Sequence, residues 1–293
     1  MMTSISRPVL FLMAFLSCLA SVPARAQTTS TVRDQVHVVD STRIQVLTMR
    51  DGSSFVGRIV AVRNDSVDFQ TGIGRMTLAI NDIRSIREHD AGRLHDGSYW
   101  FPNPNATRLF FAPTAQMLKK GDGYFADYEL FFPGFAYGVT DNISVGGGVS
   151  VFPTGVDEQI YYFTPKAGVS FSDQIHVAAG LLFAGTGGGT GGVGYGVATL
   201  GDGDRSLTVG LGYGFAGGDI ESKPLVMLGA EKRVSRRVAL VTENYILPIS
   251  DDNVVYSFGL RFMGEKLTTD FAIFNVVGSG IIGFPYVDFV YSF

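Results

Sequence analysis

The sequence predicts an all-β protein: an antiparallel transmembrane β-barrel of about 12 strands, preceded by a small five-stranded β-barrel domain. Three observations carry this expectation. The chain opens on an export signal, its composition changes near residue 98, and from there on apolar residues alternate with glycine or polar ones in long runs. Apolar residues make up 46% of the chain, with 37 Gly, 23 Phe and 12 Tyr, and only 17% are charged. That composition suits many strands crossing lipid, where every backbone polar group needs an internal partner and a closed barrel supplies it.

Residues 1–26 are expected to be a signal peptide. Arg7 supplies the positive start, "PVLFLMAFLSCLASV" the apolar run, and Ala24 and Ala26 the small residues before cleavage at Gln27. The run is short of the roughly 20 residues of a spanning helix. Cys18 suggests a lipoprotein, but it lies within the apolar run and follows "FLS", without the expected aliphatic residue three places earlier. Cys18 is the chain's one cysteine. Once it leaves with the leader, disulfides, thiol catalysis and cysteine zinc sites are excluded. Acidic residues outnumber basic ones, 27 to 23, which argues against nucleic acid as a partner.

Residues 27–98 have the grammar of a soluble domain, with nine Arg, no Lys and nine Asp or Glu. Short runs, "RIQVLTM", "FVGRIVAV", "VDFQT", "RMTLAI" and "IRSIRE", alternate with turn signals such as "RDGSS" and "RNDS". The order "DGSSFVGRIVAVRNDSVDFQTGIGRMTLAINDIRSI" resembles the Sm-like or SH3-like small barrel. Sm-like modules often bind RNA, but the export signal and balanced charge favour a periplasmic contact or spacer domain with a structural role; the alternative is a non-conducting anchor whose periplasmic domain binds a protein partner. His89, Asp90, His95 and Asp96 follow in "REHDAGRLHDGSYW", a polar linker in which they are read as solvated; no metal or other cofactor is expected.

Residues 99–293 are expected to form the barrel, with strands near 106–115, 124–139, 143–153, 159–171, 174–185, 193–201, 205–216, 223–234, 236–248, 253–264, 267–277 and 281–293. Tight joins ("TDN", "SDQ", "GDGD", "VSR", "GEK") alternate with longer ones ("MLKKGDG", "TGVDEQ", "GTGGGTGG", "GGDIES"). That asymmetry predicts periplasmic turns and external loops, with the amino-terminal domain in the periplasm. Lys119 and Lys120 fall in a loop predicted to be external, where they could touch lipopolysaccharide. The closing "FPYVDFVYSF" places Phe289, Tyr291 and Phe293 on one face and Asp288 on the other. This end resembles the carboxy-terminal signal of bacterial outer-membrane barrels, which implies recognition by the barrel-assembly machinery. The stretch "NPNATRLFFAPTAQMLKKGDGYFADYELFFPGFAYGVTDNISVGGG" is similar to the opening of outer-membrane proteins of the Bacteroidetes type, a resemblance that implies no activity.

Alternation then divides the wall. Thr208, Gly210, Gly212 and Gly214, like Ser144, Gly146, Gly148 and Ser150, are expected inside as a nearly bare surface, facing a charged set of Arg108, Asp127, Glu129, Lys166, Glu231, Arg233, Glu243, Arg261, Asp270 and Asp288. Lys or Arg facing lipid at the midplane would cost about 2–4 kcal/mol. Two roles stay open for the set: ion pairs that fill and brace the lumen, or a charged path for small solutes. Lipid-processing catalysis is a third class. It would need His176, predicted on the lumen face near the periplasmic rim with no serine and acid convincingly beside it. "GTGGGTGGVGYG" lacks the Lys-Ser or Lys-Thr of a phosphate loop and is read as a flexible external loop.

Overall fold

The computed structural model describes residues 32–95, 97–248, 253–278 and 283–293. The expected signal peptide and its cleavage residues Ala24, Ala26 and Gln27 lie outside them. The chain divides into two compact units, with the boundary between Gly97 and Ser98.

The first unit has five strands: β1 (Arg43–Met49), β2 (Ser54–Val62), β3 (Ser66–Thr71), β4 (Gly74–Ala79) and β5 (Ile83–Asp90). They form one antiparallel sheet in the order β4-β3-β2-β1-β5. The sequence expectation was a closed barrel. Closure would need a ladder between β4 and β5, and the described residues form a sheet without one. Leu47, Ile59, Val67, Phe69 and Ile83 make a fully buried core on one face. The register of β2 against β3 shifts between Ile59 and Ala61, and the Ile59 N–H donates instead to Oε1 of buried Gln45 at 2.8 Å.

Asp68 anchors β3 to its surroundings. Its carboxylate accepts from the Thr77 hydroxyl at 2.9 Å and from Arg63 at 2.8 Å. The Thr77 hydrogen bond, with help from Arg63, holds its pKa below the ordinary carboxylate value. The sign follows from linkage: a depressed folded pKa contributes stability above the unfolded value of about 3.9, lost as pH falls through the folded value. Hydrogen-exchange protection of the Val67 and Phe69 amides in the full-length chain should fall between pH 5 and pH 3. Asp68→Asn should lower protection at pH 7 and flatten that dependence, and an unchanged acid slope in the variant would refute the assignment.

The second unit is a closed antiparallel barrel of 12 strands. They are β6 (Gly123–Tyr128), β7 (Phe132–Thr140), β8 (Ile143–Val149), β9 (Tyr161–Phe163, resuming as Lys166–Ser172), β10 (Ile175–Thr186), β11 (Gly189–Gly201), β12 (Arg205–Ala216), β13 (Leu225–Ser235), β14 (Val238–Leu247), β15 (Asn253–Met263), β16 (Leu267–Val276) and β17 (Phe284–Ser292). Each pairs with its sequence neighbour, and β17 closes on β6 from Ser292↔Tyr124 to Asp288↔Tyr128.

The strand number agrees with expectation, but two of the strands are not those predicted. Residues 106–115 are not in the wall. Residues 124–139, expected as one strand, are the hairpin β6–β7. Its turn holds Glu129 and Leu130 at φ 56° and 62°, left-handed conformations at two consecutive non-glycine residues. Such residues carry no turn signal in the sequence, so the two errors cancel in the count.

The wall alternates as a barrel in lipid must. Along β12, Leu207, Val209, Leu211 and Tyr213 are exposed, whereas Thr208 is fully buried. Turns at 141–142, 173–174, 202–204, 236–237 and 264–266 share one end with the start of β6 and the end of β17; we name it the entry end. Lys119 and Lys120 lie there too, beside the tight turns and not among the joins of the opposite end: the Lys120 N–H donates to Asp141 and the Gly121 N–H to the Gly138 carbonyl. At the far end, "GTGGGTGG" is no long loop. β10 and β11 run up to a tight turn at 187–188, pairing as far as Thr186↔Gly189.

Candidate functional site

Within residues 98–122 the chain enters the lumen and returns to the same end. Phe101 accepts from Arg233 near the entry end of β13, and the Pro104 carbonyl accepts from Ser292 at the end of β17. The segment then turns back as a hairpin, with a bridge Arg108↔Pro113 and a tip closed by the Leu109 N–H on the Ala112 carbonyl at 2.8 Å. It returns past Thr199, near the entry end of β11, whose hydroxyl accepts from the Ala115 N–H at 2.8 Å. Leu109, Phe110 and Ala115 are fully buried. The tip therefore rests midway along the barrel, at Glu243 of β14, and both arms leave by the entry end.

The charged side chains hold this hairpin by its backbone. Glu243 Oε2 accepts from the N–H groups of Phe110, Phe111 and Ala112 at 2.8, 3.0 and 3.0 Å, three consecutive donors converging on one carboxylate. Lys166 directs its ammonium to the carbonyls of Thr107, Thr114 and Gln116 at 3.3, 3.0 and 2.8 Å, so its three hydrogens are committed. Arg261 pairs in fork geometry with Asp270, reaches Glu231 at 2.7 Å, and donates to the carbonyls of Asn105, Arg108 and Leu109. Arg108, on the hairpin and not on the wall, bonds Asp288 at 2.7 Å and lies 3.7 Å from Asp270. Those two acids face each other in the β16–β17 register, and the two arginines offset their repulsion. Glu231 takes a further bond from Asn103 at 2.6 Å, and Arg233 bonds Asp204 at 2.8 Å with its guanidinium 4.7 Å from the Phe101 ring.

Two residues of the expected set stand elsewhere. Asp127 pairs with Phe289 and shares the outward face of Phe125, and Glu129 sits in the β6–β7 turn. Odd residues face outward on both strands of this hairpin, as Phe125, Phe135, Tyr137 and Val139 show, so alternation places Asp127 outside. Phe289, Tyr291 and Phe293 share the exposed outer face, with Asp288 and Val290 buried on the other.

The glycine wall is not bare either, because neighbouring strands fill it. A side chain at Gly148 would meet the Tyr162 hydroxyl, one at Gly210 would meet Val197 and Met227, and one at Gly212 would meet Val193. Between the hairpin and the β6–β11 wall a cavity of about 350 Å³ remains, lined by Phe111, Tyr124, Tyr128, Phe132, Tyr162 and Tyr195 among others. His176 does find a serine: its Nδ1 lies 2.7 Å from Ser170 Oγ, directly across the β9–β10 ladder. Its buried Nε2 has no hydrogen-bond partner among the described residues, so no carboxylate orients the ring as a catalytic base requires.

The hairpin escaped sequence reading because its alternation imitates a strand. Pro102, Pro104 and Pro113 are the signal against a ladder, since proline cannot donate to one.

No protein-family profile and no curated protein matches the chain. Among solved structures it is similar to the KdgM porin in complex with disordered oligogalacturonate, at 9% identity over 59% of this chain and 98% of that one, TM-score 0.47. It is also similar to the NanC porin, at 10% identity over 58% and 97%, TM-score 0.41. A loop-deletion mutant of OmpT from Vibrio cholerae matches at 11% identity over 86% and 97%, TM-score 0.33. The wall itself identifies an outer-membrane β-barrel: a closed ring of antiparallel strands, apolar outside and polar within, leaves no backbone edge unpaired in lipid.

Proposed function

We propose that this chain is a corked outer-membrane barrel, closed to ions in the conformation described, whose lumenal charges hold an inserted hairpin instead of selecting a permeant solute. The observation that supports this most directly is the chemistry of Glu243, Lys166 and Arg261. Their polar atoms are committed to hairpin backbone and to the wall side chains Tyr245, Asp270 and Glu231, leaving no row of free charges along an aqueous path. In this reading the entry end is periplasmic, the first unit lies in the periplasm where it contacts a protein partner, and Phe289, Tyr291 and Phe293 serve the barrel-assembly machinery.

A second reading, a gated channel for small solutes, draws on one specific feature. The hairpin joins the wall through side chains and not through a strand ladder, so withdrawing it breaks no barrel pairing. Planar-bilayer recording separates the outcomes. The intact chain should be silent, and a chain lacking residues 105–115 should show stable conductance steps. Steady conductance of the intact chain would refute closure, and silence of the deleted chain, with the barrel folded, would refute the hairpin as the barrier.

A further inference from the structure

The hairpin leaves a cup beside it, running from Leu118 and Tyr124 to Phe132 and Leu182. Its lining comes from the hairpin segment and from β6 to β11, mostly from their lumenal face, with Phe135 and Val145 contributed from the outward parity. Tyr124, Tyr128, Phe132, Tyr162, Tyr195 and Leu182 stand around about 350 Å³ of space, and Phe111 at the hairpin tip contributes its ring. That volume is at the lower end for small-molecule sites.

Phe111 stacks on Tyr128 with centroids 6.1 Å apart and rings inclined by 29°, and Tyr286 meets it edge-on at 4.6 Å. The ring is nevertheless 49% exposed, although its backbone N–H is fixed on Glu243. Leu182, on the inward parity of β10, is 40% exposed. Large apolar groups held open to solvent inside a rigid wall are what a flat apolar guest would cover.

The polar groups at the cup narrow the guest further. Both cations that border it are engaged: Lys166 with three hairpin carbonyls, and Arg108 with Asp288 and the hairpin backbone. A carboxylate or phosphate would have to displace those bonds. The hydroxyls of Tyr124, Tyr128 and Tyr195 make no hydrogen bond among the described residues, and they are neutral groups able both to donate and to accept. A sugar ring would need more polar partners than this lining offers.

We infer that the cup is a binding site for a small, flat, uncharged ring compound carrying a hydroxyl or carbonyl, stacked on Phe111 and hydrogen-bonded by the tyrosine hydroxyls. The site rests on the hairpin being in place as one of its walls, and binding and conductance are read separately. A conducting barrel that still binds would overturn the closure and leave the site standing.

The test uses the full-length chain in phosphatidylcholine nanodiscs, with equilibrium dialysis of 2-naphthol against empty discs. One saturable site per chain is expected, with naphthalene binding several-fold more weakly and benzoate and glucose more weakly still. Leu182→Trp fills the cup and should weaken 2-naphthol at least tenfold. Tyr128→Phe and Tyr195→Phe, which preserve the rings, test the hydroxyls: at least one should weaken 2-naphthol several-fold and leave naphthalene unchanged. The inference is overturned if 2-naphthol uptake equals that of empty discs, if a folded Leu182→Trp chain binds like wild type, if neither hydroxyl deletion distinguishes the two ring compounds, or if benzoate binds more tightly than 2-naphthol.

Discussion

Arg261→Ala should destabilise the barrel by about 3–5 kcal/mol, because removing one member of a buried ion pair leaves its partners charged and unpaired. Arg261 is fully buried, and its loss strands Glu231, which it meets at 2.7 Å, and leaves Asp270 with only Arg108 at 3.7 Å. It also frees the carbonyls of Asn105, Arg108 and Leu109. Urea titration of the folded chain in lipid vesicles should show the shift as a lower midpoint with an unchanged slope. Arg261→Lys should recover only part of it, since an ammonium cannot reproduce the fork on Asp270. A midpoint within about 0.5 kcal/mol of wild type, the range of an ordinary surface substitution, would show that the network does not brace the wall.

Glu243→Ala should act differently, on the hairpin more than on the wall. It leaves the buried N–H groups of Phe110, Phe111 and Ala112 without their acceptor, at about 1–3 kcal/mol for each group left unsatisfied. A net shift of about 3 kcal/mol would raise the population of a displaced hairpin roughly a hundredfold. Bilayer recording should then show brief openings where wild type is silent. Glu243→Gln retains a carbonyl oxygen and should open less often than the alanine variant. Because β14 pairs with β13 through backbone, heat resistance should fall less than in Arg261→Ala. A silent Glu243→Ala barrel, in a chain whose hairpin-deleted form conducts, would mean that the other contacts suffice to hold the tip.

These expectations rest on features that the sequence discloses unevenly. The barrel class was legible because lipid imposes alternation on each strand, as in Leu207, Val209 and Leu211 against Thr208, Gly210 and Gly212. Short turns such as Asp141–Asn142 were legible because they carry turn residues. The β6–β7 turn was not: Glu129 and Leu130 adopt left-handed backbone only because the wall on both sides, with the Glu129 N–H on the Val287 carbonyl, fixes them there.

By itself, then, the sequence determined that strands would cross lipid and that most of its buried charges would face inward, because burial of an unpaired charge against lipid is too costly to be left to chance. It could not determine what those charges would meet. Arg108 alternates with its neighbours as a wall residue would, and only the tertiary structure shows that its segment leaves the wall and folds into the lumen. The physical reason is that alternation records which side of a segment is apolar. It carries no record of whether the backbone is satisfied by a neighbouring strand or by side chains as distant in sequence as Glu243 and Arg261.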